Sequence, residues 1–282
     1  MTARPGPRMT LDEAVRTLRA DPAMADLVRD AYLGRDVADS YRRFAASTEF
    51  TEILSILGGV RGADVLELGA GTGIASNAFG LAGARRVVAV EPDPSDEIGR
   101  GAMARGGLAC EILDTGGEQL PLPDASFDVV YCRAVLHHVK DLDGFMAQVV
   151  RVLRPGGRFF ATREHVVRSD QELEQFLAGH PEHVLAGGEH AYRLADYVGA
   201  IRRSGMRLTR LIGPWDSIVN TWPDISDPAT LDAVSTGGVA RRFGRFGPAV
   251  AAIPGVRARA RRRFGRAHWV PGAEHSFLCR KP

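Results

Sequence analysis

An α/β fold, a doubly wound and mostly parallel sheet, is the class this 282-residue chain predicts. Three stretches carry that expectation. Val65, Leu66, Glu67 and Leu68 read as a buried strand that breaks on Gly69, Gly71 and Gly73, after which Ile74 opens a helical stretch. Arg86 through Val90 form a second β-branched run that stops at Glu91, Pro92, Asp93 and Pro94. Arg154, Pro155, Gly156 and Gly157 then punctuate the entry to a third run over 158–162.

The glycine turn is the anchor. Alternate glycines permit backbone angles closed to other residues and let a ligand lie against the main chain, while the helix behind them points free N–H groups at the turn. A dinucleotide fingerprint would need Gly or Ala at the sixth place from Gly69, but Ile74 stands there, and Glu67 just before the turn is unusual for a nicotinamide site. Glu91, roughly 20 residues past the glycines at the end of the second strand, is placed to accept from two ribose hydroxyls.

Taken in order, the chain starts with a head over 1–8 that reads as unstructured. Thr10 and Glu13 have the spacing of a capping box, and Asp21 with Pro22 starts a second helix. A third helix contains Tyr41 and Phe44, and a fourth runs over 47–57 and stops at Gly58 and Gly59. These helices precede the first strand and so pack outside the sheet. A third strand is expected over 108–113 and a fourth over 127–132, followed by one helix that carries Leu136, His137, His138 and Val139 and ends near Leu153. Helices around 171–177 and up to Gly205 follow, then strands over 207–212 and 276–280. The intervening stretch of about 60 residues is far longer than a hairpin requires and reads as an insertion.

Composition bounds the rest. With 45% hydrophobic and 25% charged residues the chain is ordinary globular material with one core. It has neither an apolar leader nor a run approaching the roughly 18 residues of a membrane span, which makes a soluble, cytoplasmic protein the expectation. The three cysteines, Cys110, Cys132 and Cys279, are odd in number, lack metal spacing and read as buried thiols. Charge is uneven: nine arginines and no acid lie between Arg241 and Arg266, in a chain whose net charge is only +2.

The glycine turn with Glu67, the acid Glu91, the stretch from Leu120 and Pro121 to Asp128 and Val129, and the Arg154-Pro155-Gly156-Gly157 turn occur in an order that resembles the class I S-adenosylmethionine (SAM)-dependent methyltransferases. That resemblance covers the core from Val65 to Gly157, with weaker support up to Gly205 and in the last strand. It implies a seven-stranded Rossmann-like sheet in the order 3-2-1-4-5-7-6 with strand 7 antiparallel. It also implies one domain with an N-terminal helical lid (1–58), a core (59–213 and 272–282) and an Arg-rich insertion (214–271). SAM is the implied cofactor, held by Glu67, Gly69, Ala70, Gly71, Gly73, Glu91, Pro92, Gly117, Glu118, Cys132 and Arg133. Where the family places an Asp for the adenine amino group this chain has Gly116, which leaves Asp114 or the backbone near Gly117 for that contact.

Methyl transfer to an alcohol needs in-line positioning and a base. His165, with Glu164 to orient it, leaves the fifth strand at the carboxyl edge of the sheet and is the expected base; His137 and His138 after the fourth strand are the alternatives. His180, His183, Glu189 and His190 add a dense cluster, but its spacing matches no metal motif and no metal is assigned. The expected acceptor is a small molecule or glycan-pathway intermediate, methylated at oxygen. The Arg-rich segment, with Phe243, Phe246, Phe264 and Trp269 interleaved, suggests peripheral contact with an anionic surface. It also keeps an RNA methyltransferase open, although no base-stacking module makes nucleic acid a favoured partner. A non-catalytic SAM-binding scaffold is the other alternative.

Overall fold

Local chemistry sets the N-terminal helices. The computed structural model describes residues 9–282, and the expected unstructured head lies outside the described residues. In front of α1 (Leu11–Ala20) the Thr10 hydroxyl accepts from the Glu13 N–H, and the Glu13 carboxylate accepts from the Thr10 N–H at 2.8 Å, a complete capping box. The Asp21-Pro22 start yields only a 3-10 turn, Pro22–Met24, ahead of the short α2 (Ala25–Asp30). Tyr41 and Phe44 lie on the buried face of α3 (Val37–Ala45), and α4 (Thr48–Leu57) is capped by Ser47 and stopped by Gly58 at φ 73°.

The strands are β1 (Asp64–Leu68), β2 (Arg86–Val90), β3 (Glu111–Leu113), β4 (Phe127–Arg133), β5 (Leu153–Val167), β6 (Tyr192–Arg193), β7 (Arg207–Ile212) and β8 (Ala273–Arg280). They lie in the order β3-β2-β1-β4-β5-β8-β7, with β8 antiparallel to both neighbours. This is the expected order with one addition, because β6 pairs with the far end of β5 and makes the sheet eight-stranded.

The pleat sorts the side chains into two cores. Val65, Val129, Tyr131 and Phe160 face α3, α4 and α5 (Ile74–Leu81). Leu66, Val130, Cys132 and Phe159 face the opposite way. With α6 at Arg100–Gly106, the helices on that second face are α7 (Leu142–Val152) and, beyond α8 (Asp170–Gly179) and α9 (Pro181–Leu185), α10 (Leu194–Arg203).

Three expectations need correction. The third strand is shorter than 108–113, and the fifth is much longer than 158–162. Phe127 pairs with Leu153 and Val129 with Arg158, so the Arg154-Pro155-Gly156-Gly157 segment is a bulge inside a strand. His137 and His138 do not sit on a helix that continues to Leu153. Ala134 adopts φ 57°, Leu136–His138 form a 3-10 turn, and α7 begins only after Asp141, whose carboxylate accepts from the Gly144 N–H at 2.9 Å.

The segment before β8 folds as α11 (Pro228–Arg242), α12 (Gly247–Ala252) and α13 (Pro254–Ala267), broken where Gly244 and Pro254 forbid a continuous helix. Its arginines are partly answered at home. Arg261 donates to Asp232 at 2.8 Å, and Arg257 lies 3.6 Å from the same carboxylate. Among the described residues no helix is long and apolar enough to cross a membrane.

Candidate functional site

Gly69, Gly71 and Gly73 adopt φ of 64°, 55° and 84°, the left-handed region that side chains avoid. A Cβ on Gly69 would come within 2.6 Å of Val135, and one on Gly73 within 2.6 Å of Leu108. On Gly71 its nearest neighbour would be the Ile98 carbonyl at 3.7 Å, so this face of the turn stays open. Glu91, 7% exposed, accepts from the Gly71 N–H at 2.7 Å through one oxygen and from the Asp93 N–H at 2.9 Å through the other. Each oxygen keeps a second acceptor direction for a ligand hydroxyl. Burial raises the Glu91 pKa, and the two backbone bonds oppose that rise. Glu67 is pushed up to about 8, chiefly by burial, and takes a hydrogen bond from the Ser76 hydroxyl.

A cavity of about 340 Å³ opens beside this turn, with Glu67, Gly69, Ala70 and Gly71 as its floor. Leu11 comes from α1 and Tyr32 from the turn after α2, Arg133 from the end of β4, His138 from the 3-10 turn that follows, Glu182 from α9 and Glu189 from the loop after it. Arg133 donates to Glu49 of α4 at 2.9 and 3.3 Å. Burial alone would lower its pKa, but the Glu49 carboxylate outweighs that and raises it. Tyr41 of α3 donates to the Thr72 carbonyl at 2.8 Å and ties the helical layer to the glycine turn.

A histidine and carboxylate cluster forms the wall on the β5 side. Arg163 adopts φ 60° where the β5 to β8 register slips between Ala161 and Glu164, and this bulge turns Glu164 inward. The fully buried Glu164 accepts from His137 Nδ1 at 2.8 Å and from the backbone N–H groups of Val135 and His137. His137 Nε2 faces Glu189 at 3.6 Å. Burial works against charge on His137, but the two carboxylates prevail and hold it up at about 9. His138, with a side chain 45% exposed, has its Nε2 3.7 Å from the same Glu189 oxygen. Burial and the neighbouring His137 lower its pKa.

His165 hydrogen-bonds through Nδ1 to the Gly272 carbonyl at 2.9 Å, which makes that nitrogen the protonated one. Its ring lies 4.7 Å from those of His137 and Phe176, and burial, then the His137 charge, lower it to about 3. It packs behind the cavity wall. Cys132 is fully buried with its sulfur 3.9 Å from Glu164, while Gly117 packs on Phe145 and Glu118 is exposed. The Pro92 and Glu91 carbonyls both accept from Arg100, which also holds Asp114 at 2.7 Å. Sequence reasoning overlooked Glu49 and Glu182, since neither has a local pattern; both acquire their partners or neighbours through tertiary contacts alone.

The donor set fits SAM. The open face of Gly71 is a backbone cradle that a side chain would fill, and the spare acceptor directions of Glu91 suit a ribose diol. Residues 66–161 match the family described as a methyltransferase domain. An uncharacterized methyltransferase from Mycobacterium sp. (strain JLS) is 32% identical over 203 residues, which span 70% of this chain and 72% of that protein. A ubiquinone biosynthesis O-methyltransferase from Sinorhizobium fredii (strain NBRC 101917 / NGR234) is 26% identical over 69% of this chain and 77% of its own length. The SAM-dependent methyltransferase from Mesorhizobium loti shares the fold, with a TM-score of 0.54 at 17% identity over 85% of this chain and 100% of that one. The glycine turn, Glu91, the strand order and these relatives agree: the chain belongs to the class I SAM-dependent methyltransferase superfamily, and SAM is its methyl donor.

Proposed function

We propose that this enzyme methylates an oxygen of a small-molecule acceptor and that His138 takes up the acceptor's proton. Support for oxygen and for a small acceptor comes from relatives named ubiquinone biosynthesis O-methyltransferase, one 26% and another 34% identical in the aligned region. The second of these aligns over only 56% of its own length. The observation that carries the choice of base is geometric. His138 lines the cavity beside the glycine turn with a half-exposed imidazole, whereas His165 gives its Nδ1 to Gly272 and stands behind the wall.

Bound SAM supplies a methyl group already activated on a sulfonium. The chain's residues do the rest: the glycine turn and Glu91 hold the donor, and the lid helices close over it. Glu189 lies where it stabilises an imidazolium at His138. SAM held at the glycine turn would supply its methyl group for in-line transfer to the acceptor oxygen, and His138 would take up the hydroxyl proton. Screening hydroxylated acceptors with methyl-labelled SAM identifies the substrate. With that acceptor, His138→Ala should lower turnover about 10²–10⁴-fold and leave SAM affinity unchanged. A loss of that size in His165→Ala, with His138→Ala fully active, would move the base to β5.

A further inference from the structure

We propose that His180, Glu182 and Glu189 form a divalent-cation site on the wall of the methyl-donor cavity, where the cation would hold the acceptor through its oxygens. Ligand atoms of these three side chains lie within 4.8 Å of one another, close enough to converge on one ion. Pro181 starts α9 directly after His180 and puts Glu182 in its first turn, so two of the three ligands stand on one short, defined element. Glu189 reaches in from the loop after α9, behind Gly187 and Gly188, which adopt φ of 76° and 92°.

Two of the three ligands lack protein partners among the described residues. The Nδ1 of His180 is buried with no hydrogen-bond partner among the described residues. The Glu182 carboxylate makes no hydrogen bond or ion pair among them, although it faces Glu189 in the cavity wall. Glu182 and Glu189 thus bring two carboxylates within 4.8 Å of each other. Like charges at such a separation repel, and a divalent ion offsets them.

One imidazole and two carboxylates suit a borderline or hard ion such as Mn²⁺, Mg²⁺ or Zn²⁺ and leave coordination positions open. Glu182 and Glu189 line the same cavity as Gly69 and Gly71, so those positions face the space beside the donor. An acceptor with two adjacent oxygens, a catechol, a vicinal diol or a hydroxy acid, would fill them. The cation would then orient the nucleophile and favour loss of its proton to His138. This rests on the cofactor site described above, and its test is separable from that site.

The test is titration of the chelator-treated full-length enzyme with Mn²⁺ alone, free Mn²⁺ being followed by electron paramagnetic resonance. The expected result is one site per chain, weakened at least tenfold in Glu182→Gln, Glu189→Gln and His180→Ala, while thermal melts show each variant folded. In parallel, calorimetry with SAM and with its product S-adenosylhomocysteine, which lacks the sulfonium charge, should give affinities within about threefold of wild type in the Glu182→Gln and Glu189→Gln variants. Sub-stoichiometric Mn²⁺ binding, or binding unchanged in the three variants, would overturn the proposal. So would a selective loss of SAM over S-adenosylhomocysteine in the two Gln variants, because the carboxylates would then serve the sulfonium. Loss of both adenosyl ligands with Mn²⁺ retained would instead count against the assigned cofactor cradle.

Discussion

Replacing Glu49 by Gln should unlatch the N-terminal helices from the sheet. Glu49 is fully buried, and the Arg133 side chain it holds is 15% exposed, with a second guanidinium, Arg163, 4.0 Å away. Arg133 cannot move out to water easily, because it also lies over the rings of Tyr32 and Phe44 at 5.7 and 5.9 Å. Removing the anion from such a pair leaves a cation in low dielectric, which costs about 3–5 kcal/mol. Slight exposure of Arg133 favours the lower end, about 3 kcal/mol, or a fall in Tm of roughly 6–12 °C for a chain of this size. Urea and thermal melts measure the loss. A double-mutant cycle with Arg133→Met isolates the pair, since removing both charges should restore most of the stability. A cost below about 1 kcal/mol for Glu49→Gln, or a coupling energy near zero, would refute the reasoning.

Three more outcomes follow, two of them from buried acids. Asp64 is held down at about 2, first by Arg85 and also by Arg154. A depressed carboxylate stabilises the fold above its unfolded pKa of 3.8. Asp64→Asn should therefore cost about 1–2 kcal/mol at pH 7, a deficit that closes as the pH falls from 3.8 towards 2 in a urea-melt series. Glu67 has the opposite sign. Burial raises its pKa from 4.5 to about 8, so wild type loses stability as the pH rises between those values, and Glu67→Gln should become the more stable protein, by about 1–3 kcal/mol at pH 8. Tyr41→Phe, which deletes only the hydroxyl donating to Thr72, should cost about 1 kcal/mol and weaken SAM binding modestly by loosening the glycine turn, as read by calorimetry.

Features fixed by adjacent residues were legible in the sequence. The Thr10 box, the Ser47 and Gly58 caps, the glycine turn and the Glu91 strand end each depend on a few neighbours, and the structure forms them as expected. The break at Ala134 was hidden because Ala gives no sign of a positive φ, so the apolar run through Val139 reads as one helix. The two-residue β6 is too short for any periodicity to register. Charge partners across the fold were the least visible. Glu49 meets Arg133 across 84 positions, and Glu164 meets His137 only because the bulge at Arg163 reverses the strand's alternation. His165 was expected to leave the fifth strand at the rim, but β5 runs on to Val167 and keeps it inside the sheet, paired with Glu274 of β8.

The most direct test of the whole account is equilibrium binding of SAM to wild type and to Glu91→Gln, with NAD as a control ligand. The account predicts that wild type binds SAM and S-adenosylhomocysteine but not NAD. In Glu91→Gln it predicts a Kd for both adenosyl ligands about 10–100-fold higher, the equivalent of roughly 1.5–3 kcal/mol of charge-assisted hydrogen bonding to the ribose. Unchanged SAM affinity in Glu91→Gln, or tight NAD binding with none of SAM, would contradict it.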